Sequence, residues 1–237
     1  MKKNFIGIFF AIVAIIAVAL IVLMLNYKKG ISTPEVSDAA KFKDEYVSLN
    51  DQTNSSNKTY PQVNINDNNK FHYATETETL DILNGQTGVI YFGFPTCPWC
   101  RNMVSILDEV SLSYSTDKIY YYNIKDIRST ITVNDNNELE TKKGTDFYYQ
   151  LLEKLDSSLE DYTVTDKKGK TIKTGEKRLY APTVIFVKNG EVVDFVEGTV
   201  DSQKDPYVAL TETQRNELIS KYQEGFNKLG DICDEKC

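Results

Sequence analysis

A continuous apolar strand followed at once by two closely spaced cysteines is the feature that most constrains this chain. Val89–Phe94 carries no charged residue, which is typical of a strand covered on both faces of a sheet. Cys97 and Cys100 follow, with Pro98 and Trp99 between them. The pair is therefore predicted to lie on a strand-to-helix turn of an α/β fold. The helix is indicated by apolar residues at intervals of three and four: Met103, Val104, Leu107 and Val110.

This position predicts two unequal thiols. With Cys97 at the helix N-cap and Pro98 as the first helical residue, the Cys97 sulfur faces unpaired backbone N–H groups and the positive end of the helix. Both favour the thiolate, which is the reactive form of cysteine. Cys97 is expected at the exposed start of the helix, and Cys100 is expected to lie buried one turn behind. Cys97 would then attack a partner's disulfide, and Cys100 would resolve the mixed disulfide that results.

The region from Lys70 onward alternates between strand and helix patterns. The chain has 237 residues, of which 41% are hydrophobic, so we expect one globular domain with a core of ordinary size over residues 70–230. Asn189-Gly190 between two apolar runs predicts a β-hairpin. The predicted strands are Phe71–Ala74, Val89–Phe94, Ile119–Ile124, Thr183–Val187 and Val192–Val196, and the further predicted helices are Glu76–Leu83, Phe147–Leu155 and Gln214–Leu229.

Three blocks, VIYFGFPTCPWC, IYYYNI and APTVIFVKNGEVVDFVEG, together resemble the thioredoxin-like family. The chain is most similar to membrane-anchored, extracytoplasmic thioredoxin-like proteins of Gram-positive bacteria, which include bacteriocin transport accessory proteins. The resemblance implies a thioredoxin fold, that is, a central mixed sheet flanked by helices, with an insertion between the third strand and the strand after a cis-proline. It also implies a redox-active Cys97–Cys100 disulfide and no cofactor.

The same resemblance gives roles to a second motif, Ala181-Pro182-Thr183. It implies that the Ala181–Pro182 bond is cis, that Pro182 packs opposite Cys97, and that Ala181 presents its backbone to a substrate strand. From the residues alone, a proline at the start of a strand is allowed and is usually trans. Trp99 is either a substrate contact or an exposed aromatic ring on a docking face.

Four positions are candidates for tuning the cysteine pair. Pro98, together with Trp99, replaces the Gly-Pro pair that thioredoxins usually carry, and these positions influence redox poise in the family. Tyr91 stands six residues before the first cysteine, where thioredoxins usually have a buried acid; its ordinary pKa of ~10 excludes it as a base near neutral pH. Arg101 and Arg178 would lower the pKa of the first cysteine if either lies near it.

The N-terminal residues predict a membrane anchor. Phe5–Leu25 contains only apolar residues and glycine, and a helix of this length spans about 31 Å, close to the roughly 30 Å hydrocarbon core of a bilayer. A cleaved signal peptide is the alternative, but its apolar region normally covers only about 7–15 residues before a small-residue cleavage site. We expect residues 1–29 to form an uncleaved, single-pass anchor. Lys2 and Lys3 favour a C-terminal domain outside the cytoplasm.

Two further segments flank the predicted domain. Residues 30–69 are predicted to be a polar spacer, because Asn50–Asn69 is dense in Asn, Ser, Thr, Asp and Gln and has little apolar surface to bury. Within it, Val36–Leu49 has the spacing of a short helix. Residues 231–237 form a tail that carries Cys233 and Cys237.

The tail cysteines leave three interpretations open. They form their own Cys233–Cys237 disulfide, they act as a second redox relay, or they join the first pair in a four-cysteine zinc site. An oxidising exterior favours disulfides over thiolate metal sites, so we expect the separate disulfide and no metal.

Together these patterns predict a thiol–disulfide oxidoreductase that acts on protein thiols and disulfides outside the cytoplasm and is served by an upstream redox partner. The alternative is a non-catalytic thioredoxin-fold module for bacteriocin export or adhesion, with structural disulfides or a zinc site. A net charge of −7 argues against binding to nucleic acid. Whether the pair reduces, oxidises or isomerises depends on its reduction potential.

Overall fold

A computed structural model describes residues 13–24 and 36–230 of the chain, which divides into two units, residues 1–37 and 38–237. In the first unit, residues 13–24 are helical (α1) and their side chains are exposed. None of the helices within the two described ranges is both long and apolar enough to cross a membrane. The predicted anchor Phe5–Leu25 continues outside the described residues at both ends of α1, so it stays a prediction.

The second unit alternates strands and helices over its whole length. Nine strands and five α-helices are present among residues 38–230, together with a 3-10 helix at Asp156–Ser158. The strands are β1 (Phe71–Tyr73), β2 (Gly88–Gly93), β3 (Ile119–Asn123), β4 (Thr130–Val133), β5 (Leu139–Lys142), β6 (Asp161–Thr165), β7 (Thr171–Lys177), β8 (Thr183–Lys188) and β9 (Glu191–Glu197). The helices are α2 (Asp38–Val47), α3 (Glu76–Leu83), α4 (Pro98–Ser111), α5 (Asp146–Lys154) and α6 (Glu212–Leu229).

A mixed sheet of five strands forms the centre of this unit, in the order β1-β3-β2-β8-β9. β3 is parallel to both β1 and β2, whereas β8 is antiparallel to β2 and β9. The strand that precedes the cysteines is therefore the middle strand. All six of its residues are buried, as its unbroken apolar sequence predicted.

Helices cover both faces of the sheet, because consecutive side chains of β2 point to opposite sides. Val89 and Tyr91 belong to a core cluster that also contains residues of α2, α4 and α6. Ile90 and Phe92 belong to a second cluster with residues of α3 and α5. The predicted mixed α/β architecture with flanking helices is thus confirmed.

The predicted elements of residues 70–230 are present, with ends within two residues of those expected. The hairpin between β8 and β9 turns through Asn189 and Gly190, which have φ angles of 51° and 80°. Positive φ at both central residues is the requirement of the two-residue turn that Asn-Gly sequences favour. Helix α3 begins at the capping box formed by Thr75 and Glu78, which fixes its start.

A long segment lies between β3 and β8, where the resemblance implied an insertion. It contains α5 and two separate two-stranded sheets, β4-β5 and β6-β7. The sequence predicted the helix but not these four strands, whose residues are mostly exposed. Mostly exposed strands carry a weak apolar alternation, which is why the pattern did not reveal them.

The predicted polar spacer is wrong for residues 38–69, which are part of the compact second unit. Its helix is present as α2. Four apolar side chains of this segment, Phe42, Tyr46, Val63 and Ile65, are at most 4% exposed in the main core. Composition failed here because a few large side chains at suitable positions bury enough surface to hold an otherwise polar segment.

Polar side chains complete the docking of this segment. Asn50 exchanges two hydrogen bonds with the backbone of Val63, at 2.8 and 3.0 Å. Asp108 on α4 accepts hydrogen bonds from the backbone and side-chain N–H groups of Asn66, at 2.7 and 2.8 Å. His72 on β1 contacts Asp38 at 2.6 Å and so joins α2 to the sheet. The residues that indicated disorder therefore satisfy the buried backbone of an ordered segment.

Candidate active site

The cysteine pair lies on the turn between β2 and α4. Cys97 is the N-cap of α4, with φ −82° and ψ 117°, and its sulfur accepts a hydrogen bond from the backbone N–H of Cys100 at 3.3 Å. Pro98 occupies the first turn of the helix, where its missing N–H costs nothing. The predicted placement of Cys97, Pro98 and Cys100 is confirmed.

Burial differs from the prediction at one of the two cysteines. Cys100 has no exposed surface, as expected, but Cys97 is only 5% exposed and was expected at an exposed helix start. Phe94, Trp99 and Ala181 pack against the core cluster that contains Cys97, so the first thiol is covered by its neighbours.

The two thiols differ in acidity in the predicted sense. The pKa of Cys97 is lowered by the hydrogen bond from the Cys100 thiol, then by the backbone N–H groups of Cys100 and Trp99 and by the charge of Arg128, against the opposing effect of burial. Burial raises the pKa of Cys100 well above its ordinary value, and Cys97 adds to this effect. Cys97 is thus the thiol that ionises first.

Both cysteines are free thiols in the structure, so the Cys97–Cys100 disulfide is not formed in it and stays a prediction. Cys233 and Cys237 lie outside the described residues, and so does their predicted disulfide. In residues 13–24 and 36–230, no group of three or more His, Cys, Asp or Glu side chains could hold a metal ion. The four-cysteine zinc alternative requires the tail and is not tested.

The second motif lies against the first cysteine. The Ala181–Pro182 peptide bond is cis, as the resemblance implied. The Cys97 thiol donates a hydrogen bond to the carbonyl oxygen of Ala181 at 3.4 Å. Pro182 is buried directly before β8, and β8 pairs with β2. The pairing of these two strands brings the proline motif and the cysteine motif together.

A groove of about 280 Å³ opens beside the cysteines and is bordered by Trp99 and Ala181, two predicted substrate contacts. Glu197 at the end of β9 also lines it, and burial, with a smaller contribution from Glu160, raises the pKa of Glu197 to about 7. The remaining lining residues are Tyr180, Gly198, Thr199, Val200, Asp201 and Gln203. The groove therefore combines aromatic side chains with one acid that changes charge near neutral pH.

The Arg101 guanidinium is bound by oxygen atoms, one of which is the carbonyl oxygen of Pro95 at 3.2 Å. The Arg101 side chain is 1% exposed and points into the N-terminal segment, where it donates hydrogen bonds to the carbonyl oxygens of Tyr46 and Pro61 at 2.9 and 2.7 Å and to Asn50 Oδ1 at 2.6 Å. Arg101 is not among the largest causes of the lowered pKa of Cys97, so its tuning role stays a prediction. It binds carbonyl groups and holds residues 46–61 against α4.

Arg178 lies close to the site but faces aromatic rings. Its guanidinium carbon is 4.2 Å from the centroid of Tyr162 and 5.5 Å from that of Tyr180. The cation that lowers the pKa of Cys97 is instead Arg128, which follows β3 and lies 5.1 Å from the ring centroid of Phe94. β3 is parallel to β2, and the carboxyl ends of parallel strands meet at one edge of the sheet. That rule could have identified Arg128 from the sequence.

Tyr91 lies behind the second cysteine, with no exposed surface. Its hydroxyl interacts with the Cys100 thiol and is 2.8 Å from the hydroxyl oxygen of Tyr46. Gly93 makes room for this ring, since a Cβ at that position would come within 2.2 Å of the Tyr91 hydroxyl. Tyr91 is thus fully buried and interacts with Cys100.

Comparison of the chain with protein-family models, curated proteins and solved structures gave no match. The function is therefore inferred from the geometry of the chain's own residues.

Proposed function

We propose that this chain is a thiol–disulfide oxidoreductase with a thioredoxin fold, which exchanges two electrons with protein thiols and disulfides through Cys97 and Cys100. The observation that carries the proposal is the position of the Cys97 sulfur. It lies between the backbone N–H of Cys100, at 3.3 Å, and the carbonyl oxygen of Ala181, at 3.4 Å, beside a cis-proline. A purely structural pair of cysteines has no need of unequal pKa values or of an adjacent groove.

The sheet supports the finer assignment of fold. β2 lies in the middle and leads into the cysteines, and β8, which follows the cis-proline, pairs antiparallel with it. Helices α4 and α6 cover one face and α3 the other. Such an arrangement suits a thioredoxin fold with α2 added before it and β4–β7 inserted within it.

The chemistry follows from the two unequal thiols. The Cys97 thiolate attacks one sulfur of a client disulfide, a Cys97–client bond forms, and the second client sulfur leaves as a thiolate that takes a proton from water. The Cys100 thiolate then attacks Cys97, the mixed disulfide breaks, and the other client sulfur leaves. The client gains two electrons, and the enzyme becomes the Cys97–Cys100 disulfide. Client oxidation is the same sequence in reverse.

The groove beside Trp99 and Ala181 suits an extended client segment. Ala181 lines the groove, and extended peptides bind through backbone hydrogen bonds with side chains in adjacent pockets. Trp99 and Ala181 line the groove and also pack against the core cluster that contains Cys97, so the groove is the proposed approach for the client half-cystine. A reductant or oxidant must also restore the pair after each cycle, which is the proposed role of an upstream redox partner.

The test replaces the resolving thiol. In the Cys100→Ser variant, Cys97 still forms a mixed disulfide but nothing releases it, so client proteins should accumulate as covalent adducts that dithiothreitol removes. Cys97→Ser is the matched control and should trap almost none. Non-reducing gels and mass spectrometry of the adducts measure both.

Two outcomes would contradict the proposal. Equal trapping by both single variants would mean that Cys97 is not the nucleophile. An absence of adducts in Cys100→Ser, combined with no disulfide reductase or oxidase turnover by the unaltered chain, would favour the non-catalytic accessory module. These experiments are first done with the tail cysteines present. They are then repeated in a chain that carries Cys233→Ser and Cys237→Ser, so that adducts formed through the tail are excluded.

A further inference from the structure

The second cysteine poses a problem of proton transfer. Cys100 has no exposed surface, and burial holds its pKa high. It must nevertheless lose its proton before it can attack the mixed disulfide. Water cannot reach a fully covered thiol directly, so the proton has to leave through side chains. No carboxylate is among the groups that interact most strongly with Cys100 in the described part of the chain.

Tyrosine hydroxyls connect this thiol to the domain surface. The Tyr91 hydroxyl interacts with Cys100, and its oxygen is 2.8 Å from that of Tyr46. Tyr46 in turn interacts through its hydroxyl with Tyr121, and the Tyr121 hydroxyl donates to Glu45 Oε1 at 3.4 Å.

The inner and outer parts of this series differ in exposure. The three tyrosines are at most 1% exposed. Glu45 is only half-buried, and its second carboxylate oxygen accepts a hydrogen bond from Tyr73. The series therefore begins at a fully covered sulfur and ends at a carboxylate that reaches solvent.

The three buried hydroxyls have the properties that such a series needs. Burial raises the pKa of Tyr46, Tyr91 and Tyr121 above the ordinary value, so all three stay protonated. A neutral hydroxyl donates one hydrogen bond and accepts others. Each can therefore receive a proton on its oxygen while it passes its own to the next member.

We propose that Tyr91, Tyr46, Tyr121 and Glu45 form a proton relay that deprotonates Cys100 during resolution of the mixed disulfide. This inference rests on the proposed function. The S–H bond of Cys100 breaks, Tyr91 takes that proton and gives its own to Tyr46, and the transfer continues through Tyr121 to the Glu45 carboxylate and then to water. The freed electron pair of Cys100 forms the bond to Cys97, and the client sulfur leaves. Tyr91 contacts a reacting atom, while the other three act through it.

The surroundings of Cys100 contain few other candidates. The titratable groups that interact with it are Cys97, Arg128, and the tyrosines Tyr46, Tyr91, Tyr121 and Tyr222. Tyr222 on α6 is fully buried, and its hydroxyl has no hydrogen-bond partner among the residues that the structure describes. Tyr222 therefore has no further group to which it could pass a proton, and it provides a matched control.

The test uses Ellman's reagent on the full chain with both tail cysteines changed to serine. The first thionitrobenzoate is released when Cys97 attacks the reagent, and the second when Cys100 resolves the adduct, so stopped-flow absorbance separates the two steps. Thionitrobenzoate leaves without needing a proton, so the second step isolates the deprotonation of Cys100. Tyr91→Phe and Glu45→Gln should leave the first step unchanged and slow the second by at least about tenfold.

The pH profile distinguishes a relay from a packing effect. Resolution in the unaltered chain should change little with pH, whereas in Tyr91→Phe it should follow hydroxide concentration, with the logarithm of the rate rising about one unit per pH unit. The double variant Tyr91→Phe with Glu45→Gln should be no slower than Tyr91→Phe alone, because members of one series act as a unit. Tyr222→Phe should resolve at the original rate.

Several results would overturn the relay. Tyr91→Phe without effect on the second step would do so, as would additive losses in the double variant or an equal loss in Tyr222→Phe. Glu45→Gln lies at the half-buried end of the series, so it tests the relay even if Tyr91→Phe folds poorly. If Cys97 of the unaltered chain did not react with Ellman's reagent, the proposed function itself would be rejected.

Discussion

At the scale of single residues, the charge that acts on the first cysteine comes from a position that the motif does not contain. Arg101 is adjacent to the cysteines in sequence but binds the N-terminal segment, whereas Arg128 is remote in sequence and acts on Cys97. Adjacency along the chain was therefore a poor guide to proximity.

Replacement of Arg128 by glutamine should make Cys97 less reactive. Loss of the cation raises the pKa of Cys97, so a smaller fraction is thiolate at pH 6 and alkylation by iodoacetamide slows there. The loss should be less than about tenfold, since one pKa unit corresponds to about 1.4 kcal/mol and Arg128 is only one of several causes. At a pH well above the pKa of Cys97 in both the unaltered protein and Arg128→Gln, the two proteins should be alkylated at the same rate.

Arg178→Gln is the matched control for this experiment. Arg178 interacts with Arg128 but packs on Tyr162 and Tyr180, so its loss should change the alkylation profile less. An Arg128→Gln profile that coincides with that of the unaltered protein would refute the assignment. Equal shifts in both variants would point to a diffuse positive field rather than to one cation.

At the scale of elements, α2 and the segment that follows it belong to the compact second unit although their composition is polar. The segment supplies Glu45 and Tyr46 to the proposed relay and receives the Arg101 side chain. Its boundary at Lys70 was placed where the polarity changes, but the compact unit begins at Asp38. A domain boundary drawn from composition thus removed part of the core and part of the candidate site.

Two truncated chains test where the domain begins. A chain that starts at Val36 should keep the stability of the second unit, whereas one that starts at Lys70 loses four buried apolar side chains, each worth about 1.5–3 kcal/mol. It also removes the carbonyl oxygens of Tyr46 and Pro61 that bind the buried guanidinium of Arg101. The sum is comparable to the roughly 5–15 kcal/mol that stabilises an ordinary domain, so the shorter chain should unfold or aggregate. Thermal unfolding followed by circular dichroism compares them, and equal melting temperatures would disprove the docking.

The five strands of the central sheet and the helices of residues 70–230 were predictable because each has a clear period and a clear end. Their boundaries are set by local interactions, such as the helix cap at Thr75 and the turn at Asn189 and Gly190. Such interactions do not depend on contacts with distant segments. Within the site, the same applies to Cys97 as an N-cap. Arg128, Tyr46 and the four inserted strands depend on contacts between distant segments, and a pattern within one segment contains no record of those contacts.

At the scale of the whole molecule, the sequence couples a strongly apolar N-terminus to an acidic remainder. The net charge is −7 although the first 29 residues contribute four lysines and no acid. An acidic domain has no attraction to anionic lipid head groups, so association with the membrane would depend on Phe5–Leu25. We propose that this segment anchors the domain on the outer side of the cell membrane.

Protease protection tests the proposed topology. The protein should sediment with membranes and keep its N-terminus, because a helix of about 20 apolar residues inserts stably. Protease added to intact protoplasts should digest the domain, while a cytoplasmic marker protein stays whole. Protection of the domain until the protoplasts are lysed would reverse the orientation. A soluble form that begins after Tyr27 would instead show that the segment is a cleaved signal peptide.

The contact between Tyr91 and Gly93 makes these two positions a single unit for protein engineering. The Tyr91 hydroxyl occupies the space that a side chain at position 93 would need, so any residue larger than glycine there would expel the ring from its place behind Cys100. Conversely, an acid introduced at position 91 would be shorter than tyrosine and would leave an unfilled volume above Gly93. A designer who wishes to install a carboxylate behind the second cysteine therefore has to redesign both positions together.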